Sequence, residues 1–269
     1  LRRLAAELSA RSAVRVEPAS LLHSNKVPAE DLEGVPAVTL GPAATRRADA
    51  GCDEILVLPF FFGSSRALTE YLPERMATLQ QSHPGVHVRI ANPLVDLEGP
   101  LDLRLARILR DGVLERMTPG SRPAVVLVDH GSPIPEVTAV RNVLAGQLGA
   151  LLEDRVHCLA AASMERREGD AYRFNEPLLE RLLDNPGFHR GEVIVSMLFL
   201  SPGRHAGRDG DVAVICAEAE RRHPGLQTTM TRLAGEHDAI LDILAERLDR
   251  ALAGHDILHD IPPPTPRLD

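Results

Sequence analysis

The chain contains no tryptophan and, in 269 residues, only two tyrosines and six phenylalanines. Its cores must therefore be aliphatic, built from Leu, Val, Ile and Ala. Lysine is scarcer still: Lys26 is the single one, so positive charge rests on arginine. Arginine suits bidentate contacts to carboxylates, although genome composition alone also produces such a bias. Three cysteines, Cys52, Cys158 and Cys216, form no CxxC pair. That excludes a disulfide framework and points to a reduced, cytoplasmic protein in which each thiol is a small buried group. No apolar run reaches the length of a membrane span, and no signal-peptide pattern is visible. The net charge of −8 argues against a nucleic-acid partner. GxSxG, P-loop and HExxH patterns are all missing, and GPAATRRADAG (41–51) is not a dinucleotide fingerprint. No nucleotide cofactor is expected. What remains is an ordinary globular composition, 44% apolar and 25% charged.

Within it the chain repeats itself. GCDEILVLPFFF (51–62) is echoed by GEVIVSMLFL (191–200), and HPGVHVRIANPLVDLEGPLDLRLARILR (83–110) by HPGLQTTMTRLAGEHDAILDILAERLDR (223–250). The two HPG triplets lie 140 residues apart. Two domains follow, 1–118 and 122–256, joined through the turn-rich TPGSRP and trailed by a proline-rich tail, 257–269. The chain opens directly on a helix pattern, LRRLAAELSA, whereas the matching helix of the second copy follows the strand PAVVLVD. The first strand of the first domain and its loop are therefore expected to be absent.

Hydrophobic periodicity predicts, in the first copy, helix 1–10, strand 13–18, a long polar loop, helix 42–50, strand 54–61, helix 66–82, strand 86–91 and helix 98–114. The second copy reads as strand 124–129, helix 135–149, strand 154–161, helix 176–184, strand 192–200, helix 211–222, strand 226–232 and helix 237–253. AVVLVD, EILVLPFF and EVIVSMLFL are almost continuously apolar, as parallel strands buried on both faces are. Alternation with helices gives an α/β class: two tandem flavodoxin-like domains, each a parallel sheet with helices on both faces. In such sheets functional groups gather at the carboxyl ends of the strands.

Two histidines fall there, both in the second copy. His130 follows strand 124–129 in DHGS, where Gly131 permits a sharp turn and Ser132 is placed to cap the next helix. His205 follows strand 192–200 in LSPGRHAGRDGD, a glycine-rich loop ending in Asp211, whose expected first role is capping. Two neutral imidazoles are reasonable ligands for a borderline divalent ion. They are too few for a closed structural zinc site and suit a metal held briefly and handed on. They could equally take protons from a ligand. Glu236 and His237 open the last helix and either cap it or complete the site. Glu165, after strand 154–161, either receives protons, or orients a histidine, or is plain surface charge. His157, His189 and His223 are expected to be structural or exposed. In the first copy Arg66 falls near the place of His205, and His23 lies on a different loop. Ser64, Ser65 and Arg66 read as a helix start more readily than as contacts to an acidic ligand.

Together, VLVDHGSPIPE, MLFLSPGRHAGRDGD, ERRHPGL and LAGEHDAILDILAERL resemble the CbiX/SirB class of sirohydrochlorin chelatases, and GCDEILVLPFFFGSSRALTEYLPERM in the first copy is similar to it too. The resemblance spans nearly the whole chain. It implies two chelatase-like halves facing across a cleft and ATP-independent insertion of Co2+ or Fe2+, with Ni2+ not separable, into sirohydrochlorin in cobalamin or siroheme biosynthesis. The divalent metal is then a substrate. The family's metal-site histidines match His130 and His205. Glu165 and His237 are further candidates for proton transfer, and Glu236 for the metal. Ser132, Arg204 and Arg208 are candidates for the tetrapyrrole, whose carboxylates suit arginine. Arg66 departs from a symmetric two-site arrangement, so one working site is expected, in a monomer of two pseudo-symmetric domains or a weak homo-oligomer. The competing readings are a metal- or tetrapyrrole-binding protein without turnover, and a metal-assisted hydrolase, which would need more ligands than the pair supplies.

Overall fold

A computed structural model describes residues 1–21, 29–32 and 34–264. His23, Lys26 and the last five residues of the tail lie outside the described residues. The helices are α1 (Arg2–Arg11), α2 (Leu40–Asp49), α3 (Leu72–Ser82), α4 (Arg104–Leu114), α5 (Pro135–Leu152), α6 (Leu179–Leu182), α7 (Asp211–Arg222) and α8 (Ile240–Leu252). The strands are β1 (Glu54–Val57), β2 (His87–Ala91), β3 (Ala124–Asp129), β4 (Cys158–Ser163), β5 (Gly191–Met197), β6 (Leu226–Met230) and β7 (Ile257–Ile261).

The chain divides into two compact units. Unit 1 comprises Leu1–Asp96 and the chain from Leu241 onward; unit 2 comprises Leu97–Ile240. These units are cut differently from the sequence segments 1–118 and 122–256. Helix α4, encoded in the first repeat, belongs to unit 2, whereas nearly all of α8, encoded in the second, belongs to unit 1.

Unit 2 is a four-stranded, fully parallel sheet in the order β4-β3-β5-β6. All six residues of β3 are buried, as the unbroken apolar run requires of a central strand. Helix α5 starts on Pro135, whose missing N–H would have had no helical partner anyway. Val140, Leu144, Leu148 and Leu152, spaced by four, form its buried stripe. Val126, Val128, Leu179, Leu183, Val193, Val195 and Val212 lie in one core.

Unit 1 holds a three-stranded sheet, β1-β2-β7. β1 and β2 are parallel, and β7 adds antiparallel to β2 with Val88 opposite Ile261. The expected tail therefore begins as a strand. Among the described residues no strand forms over 13–18; Ser20 makes a single parallel bridge with Thr39 instead. Arg89 donates to the Ala251 carbonyl (2.7 Å) and Arg247 pairs with Asp256 (3.1 Å), which tie α8 and the chain beyond it into unit 1.

The repeated HPG triplets act alike in both units. His83 and His223 terminate α3 and α7, their N–H groups donating to Leu79 and Ala219. Each ring then meets an aspartate, Asp49 at 2.9 Å and Asp184 at 2.7 Å. Hydrogen bonds from His223 and Arg222 hold the Asp184 carboxyl below its usual range. His223 is thus structural.

Leu109 is buried on α4, and α4 packs on α5 and β5. Leu109→Ala is expected to destabilise unit 2 by about 2–5 kcal/mol. Faster hydrogen exchange of β3 and β5 amides would report it, and unchanged exchange would contradict the placement of α4.

Candidate functional site

A buried polar cluster underlies the carboxyl edge of unit 2. Arg141, 2% exposed on α5, donates to Ser163 Oγ (2.5 Å) and the Asn175 carbonyl (3.0 Å), with Asp129 3.7 Å away. Ser163 in turn donates to Asp129 Oδ1 at 2.6 Å. Burial pushes the Asp129 carboxyl above its usual range, against the Ser163 hydrogen bond and the Arg141 charge. Wholly buried Asn175 accepts from Ser132 N–H (2.9 Å) and Thr138 Oγ1 (3.2 Å). Its amide donates to the carbonyls of Ser132 (2.9 Å) and Tyr172 (3.1 Å). The cluster fixes the turn that carries His130.

Gly131 is required in that turn. Its φ is +92°, and a Cβ there would lie 1.9 Å from the Glu165 carbonyl oxygen. Backbone bonds from Met164 to Asp129 (2.8 Å) and from Glu165 to His130 (3.1 Å) extend the β3–β4 pairing past both strands. Glu165 Oε1 thereby lies 3.4 Å from His130 Nε2.

The second histidine arrives from the loop after β5. Its 203–212 segment is closed by its own backbone bonds: Gly207 to Gly203 (2.9 Å), Gly210 to Gly207 (3.0 Å) and Val212 to His205 (3.2 Å). The rings of His130 and His205 meet edge to face, with centroids 4.7 Å apart. His205 Nδ1 is 2.5 Å from Asp211 Oδ2, and His130 Nδ1 is 3.0 Å from the Gly131 carbonyl. Carbonyl and carboxylate oxygens only accept, so each Nδ1 is the donor, and in the neutral imidazole the Nε2 then presents a lone pair. A lone pair facing the Glu165 carboxylate is satisfied by a cation or a proton placed between them.

Two expected caps act otherwise. Ser132 Oγ accepts from Ile134 N–H (3.0 Å), ahead of α5, which has no side-chain cap. Asp211 is the first residue of α7 behind an uncapped Gly210, and its carboxylate anchors His205. Glu236 and His237 are engaged locally. Glu236 accepts from Leu233 N–H (3.3 Å), and His237 Nδ1 accepts from Ala239 N–H (3.1 Å). His237 Nε2 lies 3.9 Å from Asp111 on α4. Gly235 brings this segment against the preceding loop, since a Cβ would sit 2.0 Å from the Leu200 oxygen. Among the described residues no group of three His, Cys, Asp or Glu side chains is arranged to hold a metal ion. Arg204, 85% exposed, reaches Asp211 at 4.0 Å, and Arg208 is exposed.

Elsewhere, Arg66 pairs with Glu70 (3.6 Å), and the Ser65 carbonyl accepts the first bonds of the helical segment, as a helix start does. The three cysteines are free thiols, and burial pushes Cys216 up to about 11. No helix among the described residues is long and apolar enough to cross a membrane. Arg141, Asn175 and Asp211 were not singled out from sequence as functional. The available signal was a lone arginine on the apolar face of PEVTAVRNVLAG.

A CbiX family model matches residues 35–110 and 124–251. Among solved structures, the fold is similar to SirB from Bacillus subtilis with Fe3+, at 14% identity and a TM-score of 0.69, over 96% of this chain and 91% of that one. It is also similar to sirohydrochlorin chelatase SirB from Bacillus subtilis subspecies spizizenii in complex with cobalt, at 13% identity and a TM-score of 0.67, over the same 96% and 91%. A CbiX described as the terminal enzyme for biosynthesis of siroheme in denitrifying bacteria gives 18% identity and a TM-score of 0.54, over 93% and 90%. No curated protein matches.

Gly131→Ala is expected to destabilise unit 2 by about 2 kcal/mol and to move His130 away from Glu165. Calorimetry and the imidazole NMR shifts of His130 check both. An unchanged melting temperature would contradict so close an approach.

Proposed function

The chain belongs to the CbiX family, and from that premise we propose that it is a chelatase inserting Co2+ or Fe2+ into a sirohydrochlorin-type tetrapyrrole without ATP. The observation that carries this reading is the facing pair His130 and His205, each with Nδ1 held by an oxygen and Nε2 free to ligate. Likeness of fold to SirB and CbiX structures supports it.

In this reading the two Nε2 atoms hold the incoming metal ion, with the Glu165 carboxylate beside His130 as proton acceptor. Asp211, hydrogen-bonded to His205, fixes the orientation of its ring, as a carboxylate behind a ligating imidazole does. Insertion exchanges one divalent ion for two pyrrolic protons. Glu165 is half-exposed beside His130 and takes those protons on to water as the imidazoles release the metal. Ser132 and the exposed Arg204 and Arg208 face the macrocycle and its carboxylates. Glu236 and His237 shape the neighbouring loop. The small ligand set, open to solvent, favours transfer over permanent retention.

The test follows sirohydrochlorin absorbance anaerobically with Co2+, Fe2+ or Ni2+, comparing wild type, His205→Ala and a no-enzyme control. Wild type is expected to accelerate insertion, and His205→Ala to lose about two orders of magnitude of that rate. A folded wild type no faster than the control with every metal would overturn the chelatase reading. Binding without turnover would then be the surviving alternative.

A further inference from the structure

The segment after β4 carries arginines at 166, 167, 173 and 181, and three of them are matched to acids. Arg166 pairs with Glu176 (2.7 Å), Arg173 with Asp170 (2.9 Å) and Arg181 with Glu176 (3.8 Å). Arg167 alone of these has no carboxylate partner among the described residues. Its guanidinium lies over the Tyr172 ring, 5.9 Å from the centroid. Exposed arginines usually wander through many rotamers, and an aromatic face restricts that freedom without neutralising the charge.

The backbone beneath is fixed as well. Arg166 Nη1 donates to the Arg167 and Gly169 carbonyls, at 3.0 and 3.2 Å. The Tyr172 carbonyl accepts from Asn175, the same amide that clamps Ser132 below His130. The backbone of Tyr172, whose ring lies under the guanidinium, and the histidine turn are therefore tied to one buried residue. Arg167 also stands two residues beyond Glu165, at most about 7 Å along the chain. A macrocycle metallated at its centre carries its acidic groups on the periphery. A residue that reads those groups must stand to one side of the metal ligands, and a position two residues beyond Glu165 is within that range.

We propose that Arg167, held on Tyr172 in a fixed and unneutralised state, is a specificity-determining residue that binds a peripheral carboxylate of the tetrapyrrole. This rests on the chelatase reading and names a contact beyond it. Arg167 touches substrate and not metal, so its loss should alter macrocycle affinity and KM while leaving kcat and Co2+ binding to the protein alone unchanged. Tyr172 acts only through Arg167.

The experiment uses the full chain as wild type, Arg167→Ala, Arg167→Lys, Tyr172→Leu and the Arg167→Ala/Tyr172→Leu double variant. It measures binding of metal-free sirohydrochlorin, KM and kcat for Co2+ insertion, Co2+ affinity, and melting temperature. Arg167→Ala should weaken macrocycle binding about tenfold, the scale of one hydrogen bond to a charged group. Tyr172→Leu should weaken it about threefold, Arg167→Lys should recover part of the loss, and the double variant should match Arg167→Ala. With the octamethyl ester of the macrocycle, wild type and Arg167→Ala should be alike. A working wild type with Arg167→Ala unaltered in KM and macrocycle affinity would overturn the inference and leave the chelatase reading standing. A wild type that neither binds nor metallates sirohydrochlorin would overturn both.

Discussion

A guanidinium withdrawn from water must be answered by acceptors, and the carboxyl edge of unit 2 is organised by that demand. Arg141 is 2% exposed on a helix whose other inward residues are mostly aliphatic. Its acceptors come from the end of β3, the end of β4 and the chain near Asn175. Removing one member of such a buried pair costs about 3–5 kcal/mol, because the charge left behind is uncompensated. Each of those three segments delivers a group to the site. His130 follows Asp129, Glu165 follows Ser163 by two residues, and Tyr172 precedes Asn175 by three. The network joins side chains distant in sequence into one platform, the kind of support that keeps a constellation of side chains in place. Neighbouring loops with no such anchor would position the same groups less closely.

On that platform the two imidazoles are equivalent in tautomer and unequal in support. His205 is backed by a carboxylate, His130 by a neutral carbonyl with a second carboxylate on its outer side. Either oxygen fixes the orientation of the ring it accepts from. The Glu165 carboxylate lies beside Nε2 of His130 and not of His205. In the proposed reading, such an unequal pair lets one ligand yield while the other still holds.

Much of this was legible in the sequence where a local signal fixed it. Strand 124–129 and helix 211–222 form as read, and DHGS and SPGRH brought the two histidines to one sheet edge. Strand 192–200 ends instead at Met197, and strand 54–61 ends at Val57, ahead of Pro59, which has no N–H for a ladder. Helix 176–184 shrinks to 179–182 behind Pro177, which pushes the residue before it out of the helical region. The exchange of α4 and α8 between units was not legible, because a repeat records which residues recur and not which core their apolar face joins. Asp211 read as a cap because a carboxylate at a helix start ordinarily is one. Only the fold of the preceding loop turns it toward His205.

The repeat itself shows what duplication retained and what it released. His83 and His223 perform one task, ending a helix and binding an aspartate with the ring. The helix-ending bond is made by the backbone N–H, which any residue but proline supplies, and the ring adds the contact to the aspartate in both copies. The strand ends differ between the copies. Where unit 2 has His205 anchored by Asp211, unit 1 has Arg66 paired with Glu70 along an exposed helical turn. Exchanging one solvent-facing pair for another costs the fold little, since exposed ion pairs contribute at most about 1 kcal/mol. Divergence is therefore tolerated at the sheet edge, while the residues that end α3 and α7 stay the same.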